Sequence, residues 1–127
     1  MARVRPAILV SFAGCLLASL LALAATGARA DQLTFDLRLE RGRAPADMRL
    51  IRVKQGDTIK LRFKSDRPMT LHLHGYDIEQ KVEPDKVAEM TFVARATGRF
   101  SVEVHHPRQG GGHTHGAPVV QIEVYPR

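Results

Sequence analysis

Leu33, Phe35, Leu37 and Leu39 alternate with Thr34, Asp36, Arg38 and Glu40, and the same period of two returns in Ile59, Leu61 and Phe63 against Lys60, Arg62 and Lys64. Residues two apart on an extended chain share a face, so each run predicts a β-strand with one side buried and the other wet. Ile51 and Val53 lead into a turn at Gln55-Gly56-Asp57, and Met69 to Tyr76 alternates again. Ala88, Met90, Phe92 and Ala94, then Phe100, Val102 and Val104, flank a turn at Thr97-Gly98; Val120, Ile122 and Val124 form the last strand. Short strands with turn signals between them, and no helical periodicity beyond the first thirty residues, predict an all-β domain. The expected architecture is an antiparallel Greek-key sandwich or barrel.

Residues 1–30 predict a signal peptide: Arg3 and Arg5 give a positive start, an apolar run follows from Ala7, and Ala28-Arg29-Ala30 supplies small residues for cleavage. The domain is then 31–127, in the periplasm or secreted, with no membrane insertion after the leader is cut. The length of the apolar run from Ala7 to Ala25 leaves an uncleaved membrane anchor as the alternative. Lipid attachment at Cys15 is disfavoured, because the apolar run continues well past that residue. Cys15 is the single cysteine, so residues 31–127 form no internal disulfide and rely on a sheet core. The leader holds three arginines and no acid, so the formal charge drops from +6 for the whole chain to +3 for the domain, sixteen basic residues against thirteen acidic. Those charges alternate in sequence instead of forming a block, which argues against a nucleic-acid partner.

All six histidines lie between positions 72 and 115, in three close pairs. His72 and His74 are two apart on a predicted strand, so their side chains leave the same face from points about 6.6 Å apart, near enough to share one metal ion. Leu71 and Leu73 then face the core. The bland reading is two polar residues on a solvated face. His105 and His106 are adjacent and should point to opposite sides, with His105 preferred for a shared site from its strand phase. His113 and His115 sit in the glycine-rich stretch Gln109 to Gly116, where they either fold over a metal or do nothing. Imidazole without thiolate suits Cu(II), with Zn(II) and Ni(II) as competitors. The metal-ligand candidates are therefore His74, His105, His72, His113, His115 and His106. The loop before the last strand and the end of the Met69 to Tyr76 strand are expected at the same pole of the sandwich.

The segments Ile51-x-Val53-x-x-Gly56-Asp57-Thr58-Ile59, Leu71-His72-Leu73-His74-Gly75-Tyr76-Asp77-Ile78 and Gly98-Arg99-Phe100-Ser101-Val102-Glu103-Val104 resemble the cupredoxin-like superfamily, over nearly all of positions 33–126. In blue-copper members the loop after the third segment supplies a cysteine thiolate, a second histidine and usually a methionine. Val104 stands where the cysteine would fall and no methionine follows Met90, so the resemblance implies the fold without the thiolate centre. His72-x-His74-Gly75 is also similar to a segment of multicopper oxidases, a local likeness in a chain without their other copper motifs.

The function expected is an exported protein that binds copper through histidines and stores, buffers or delivers it, losing affinity as acid protonates imidazole. The alternative is a metal-free accessory module of a periplasmic metal-uptake system, partnering a metal-handling or membrane protein. A nitrogen-ligated copper redox protein comes last, because no catalytic acid/base or nucleophile constellation stands at a defined spacing; Asp77, Glu79 and Glu83 read as solvated carboxylates.

Overall fold

The computed structural model describes residues 27, 29–105 and 117–127. The predicted leader falls almost wholly outside that set, and so do His106, His113 and His115. Eight strands follow in order: β1 (Gln32–Leu39), β2 (Leu50–Lys54), β3 (Thr58–Ser65), β4 (Met69–Leu73), β5 (Ile78–Val82), β6 (Ala88–Val93), β7 (Gly98–Val104) and β8 (Val120–Tyr125). They form a three-stranded sheet, β1-β3-β6, and a five-stranded sheet, β2-β8-β7-β4-β5.

The sandwich is as the alternation predicts, but its pairing is not wholly antiparallel. β1 runs parallel to β3, and β2 parallel to β8. Each connection reverses the chain, so strands of like parity run the same way. Both parallel pairs join strands of like parity, and all other neighbours are antiparallel pairs of unlike parity. The chain alternates between sheets at its start, which puts β2 in the opposite layer and leaves β1 to pair with β3.

The inward residues of both sheets make one core. Ile59, Leu61, Phe63, Leu71, Leu73 and Ile122 have no exposed surface, and Leu37, Leu39 and Met90 have almost none. Burying each of these contributes about 1.5–3 kcal/mol, which is how a domain without disulfides holds together. β5 has no counterpart in the predicted strands. Only Ile78 and Val82 of its five residues are apolar, as befits the edge of the larger sheet.

The crossing from β2 to β3 is built around Asp57, a carboxylate with 2% exposure. Gly56 takes φ +91°, which a side chain would resist, and the turn closes with the Asp57 amide donating to the Lys54 carbonyl at 3.1 Å. The carboxylate accepts the backbone N–H of Lys54 at 3.0 Å and of Asp31 at 3.1 Å, and pairs with the Arg127 guanidinium. It thereby ties the start of β1, the sheet crossing and the last residue. Burial works to raise the Asp57 pKa, but the two amide donors and Arg127 prevail and hold it below the usual aspartate value.

A carboxyl with a lowered folded pKa stabilises the fold fully above its unfolded pKa, near 3.9, and loses that contribution as pH falls through the folded value. Asp57→Ala should therefore lower stability at neutral pH by about 1–3 kcal/mol, because two partly buried amides lose their acceptor. Urea melts at a series of pH values check this, with the gap from the parent protein narrowing below about pH 4.

Candidate metal-binding face

β4 is short, and its pleat decides where its histidines go. Leu71 and Leu73 are fully buried between the sheets, so Thr70, His72 and His74 must face outward. On β7 the buried residue is Val102, and Ser101, Glu103 and His105 share the outward phase. The His74 amide donates to the Ser101 carbonyl at 2.9 Å, and the His105 amide to the Thr70 carbonyl at 2.7 Å. The two strands thus set three imidazoles on one face of the larger sheet.

His72 is the middle of the three. Its ring centroid lies 4.5 Å from that of His74 and 6.4 Å from that of His105, both edge to face. The sequence ranks His74 and His105 ahead of His72. In the fold, His74 stands opposite Ser101 and His105 opposite Thr70, four residues along the ladder, or about 13 Å of strand. Two nitrogens that share an ion, each about 2.0 Å from it, lie no more than about 4 Å apart. His72 is thus the ring that both others approach.

Carboxylates surround the imidazoles. His72 is in register with Glu79 on one side and Glu103 on the other. The closest approaches are His72 Nε2 to Asp77 Oδ1 at 3.3 Å, His74 Nε2 to Glu103 Oε2 at 3.2 Å, and His105 Nδ1 to Glu79 Oε1 at 3.5 Å. Sequence reasoning leaves Asp77 and Glu79 as solvated and does not single out Glu103. Their relation to the histidines depends on which strands become neighbours, which no local pattern reveals. Among the described residues, no three His, Cys, Asp or Glu side chains converge as a ready group for a metal ion. The arrangement offers imidazole pairs, each needing further donors.

Because β4 and β7 are antiparallel, His105 stands beside Thr70, at the start of β4; the loop before the last strand, expected at the other end of β4, lies outside the described residues. Met69 is half-buried and packed against the core.

Farther along the same face, one carboxylate joins three strands. The Arg99 guanidinium and the Tyr125 hydroxyl, with Arg52, hold the Glu123 carboxyl down to about 2. That network braces β2, β8 and β7.

The turn after His74 is fixed from beneath. Tyr76 packs against Phe92 at 4.7 Å and Phe100 at 5.0 Å between ring centroids, and its hydroxyl accepts the Arg95 amide at 3.1 Å. Gly75 sits at φ +86°, where a Cβ would lie 2.7 Å from the Phe100 ring.

No family model and no curated protein sequence matches the chain. Solved structures match in fold. A copper-binding protein in its apo form aligns over 78% of this chain and 100% of its own, with a TM-score of 0.55 at 12% identity. A multi-copper oxidase from Pseudomonas Thermotolerans aligns over 78% of this chain and 31% of its own, with a TM-score of 0.54 at 22% identity. A heme-copper terminal oxidase aligns over 79% and 68%, with a TM-score of 0.51 at 17% identity. The chain thus spans about a third of the multi-copper oxidase. These likenesses establish the fold, which is cupredoxin-like.

Gly75→Ala should unseat the turn and with it His74. Thermal unfolding should show a loss of about 1–3 kcal/mol from strain and the displaced ring. Amide shifts should change at His74 and Phe100 before they change on β2.

Proposed function

From a cupredoxin-like sandwich with three imidazoles on one outward face, we propose that the protein is an exported copper-binding protein that stores, buffers or delivers Cu(II). The observation that carries this reading is the adjacency of His72 to both His74 and His105. The donor chemistry fits an oxidised, borderline metal: imidazole nitrogen and carboxylate oxygen are at hand, and thiolate is absent from the strand position where Val104 stands. A bound Cu(II) would supply no reaction here; it is cargo. His72 with His74 or with His105 would grip it, and His106, His113 and His115 of the following segment are proposed as the donors that complete the shell. Zn(II) and Ni(II) compete for the same nitrogens. Residues 1–30 as a cleaved leader, and a periplasmic metal-handling or membrane protein as recipient, belong to the same proposal.

The carboxylates give this face its selectivity for charge. Glu103, Glu79 and Asp77 lie within 3.5 Å of ring nitrogens and draw a divalent cation toward the imidazoles, while each also competes for the ring it touches. The competing reading is a metal-free accessory module. It is favoured by the same imidazole–carboxylate approaches, which already occupy one nitrogen of each ring.

Electron paramagnetic resonance with one equivalent of Cu(II) separates the two. The copper reading expects a tetragonal signal with coupling to several nitrogens. Since His72 belongs to both pairs, His72→Ala should weaken Cu(II) binding most, by roughly tenfold or more, equivalent to 1.4 kcal/mol. His74→Ala and His105→Ala should each cost less. Stoichiometric binding that survives the triple alanine variant, or no binding by the parent protein, would sink the proposed face.

A further inference from the structure

Five arginines of the domain are paired with carboxylates: Arg52, Arg62, Arg67, Arg99 and Arg127. Arg38, Arg41, Arg43 and Arg49 are not; among the described residues no carboxylate oxygen lies within the 4.0 Å of an ion pair from their side-chain nitrogens. These four line one concavity of about 430 Å³, together with Glu40 and a floor of Ala44 and Pro45. Four guanidinium groups against one carboxylate leave it at +3, the whole formal excess of residues 31–127.

The lining is held in place by the backbone. Beyond β1, the Glu40 amide donates to the Arg43 carbonyl at 2.9 Å and the Arg43 amide to the Glu40 carbonyl at 3.1 Å. The two residues between them are left-handed, Arg41 at φ +51° and Gly42 at φ +75°. This is a tight two-residue hairpin turn, and an arginine at its first central position is costlier there than asparagine or glycine. Arg49 is pinned as well: its Nε donates to the carbonyl of the buried Ala44 at 3.0 Å, while its terminal amino groups keep their donors for another acceptor. The neighbouring concavity shares Arg38, Glu40 and Arg41, but Lys64, Asp66 and Asp85 bring its charge to balance.

We infer that the cleft between the Glu40–Arg43 turn and Arg49 binds a small oxyanion of two or more negative charges, a polycarboxylate or a phosphate. Guanidinium presents its donors as a planar fork that matches both groups two bonds at a time, and four like charges against the single Glu40 carboxylate favour a ligand of opposite sign. The volume suits a ligand of a few to a dozen heavy atoms.

Titration of the purified protein with citrate and, separately, with inorganic phosphate tests this, at an ionic strength held constant with sodium chloride and read by amide NMR shifts. Saturable shifts across residues 38–49 are expected with at least one anion, and which anion saturates assigns the carboxylate or the phosphoryl group. Arg41→Gln/Arg43→Gln should weaken that binding about tenfold, whereas Lys64→Gln, in the balanced concavity, should change it less than about twofold. If the double variant unfolds, Arg38→Gln on β1 serves in its place, since its exposed side chain bears no part of the turn. Shifts that do not saturate, or equal affinity in the arginine and Lys64 variants, would overturn the inference.

Discussion

Two leucines without exposed surface, Leu71 and Leu73, decide what the outside of this protein can do. Side chains alternate along a strand, so sealing these two into the core leaves His72 and His74 no direction but outward. A slip of one residue would bury two imidazoles and expose two leucines. The burial energy of the core thus enforces the register of β4 against β7, and that register brings Glu103 beside His72 and lets the His105 amide reach Thr70.

Outward direction alone would scatter the histidines if the sheets could shift. Asp57 guards against that at the pole where β7 begins, where one buried carboxylate accepts amides from two separate stretches and pairs with Arg127. A buried carboxylate without such partners would be costly, so the contacts come as a set. Nearer the imidazoles, Tyr76 does comparable work with apolar contacts, setting its ring between Phe92 of one sheet and Phe100 of the other.

Much of this was legible in the sequence, and what was not has a common cause. The alternation in Leu33 to Leu39, Ile59 to Phe63 and Val120 to Val124 identifies strands because burial of one face leaves a local trace. β5 left almost none, for an edge strand buries little and Gln80 and Lys81 look like any turn. The parallel pairing of β1 with β3 is invisible locally, since it depends on which sheet β2 joins. The histidines show the same limit. Spacing places His72 and His74 on one face, and in the fold His105 has the same outward phase. Only the cross-strand register reveals that His72 lies between the other two and that Glu103, Glu79 and Asp77 belong beside them.

Register also sets a division of charge, on the acidic side, while the four arginines already lie within residues 38–49 of the sequence. Read along the chain, acids and bases alternate and suggest an evenly solvated surface. In the fold, Asp77, Glu79 and Glu103 gather around the imidazoles, and Arg38, Arg41, Arg43 and Arg49 gather where β1 turns. The Arg41–Gly42 turn reaches the end of β7, for a Cβ on Gly42 would meet Val104 Cγ2 at 4.0 Å. An acidic, nitrogen-rich face and a basic cleft therefore adjoin His105 and Val104 from opposite sides of one strand end. Over such distances the charges act less on the fold than on what approaches it, favouring a cation on one side and an anion on the other.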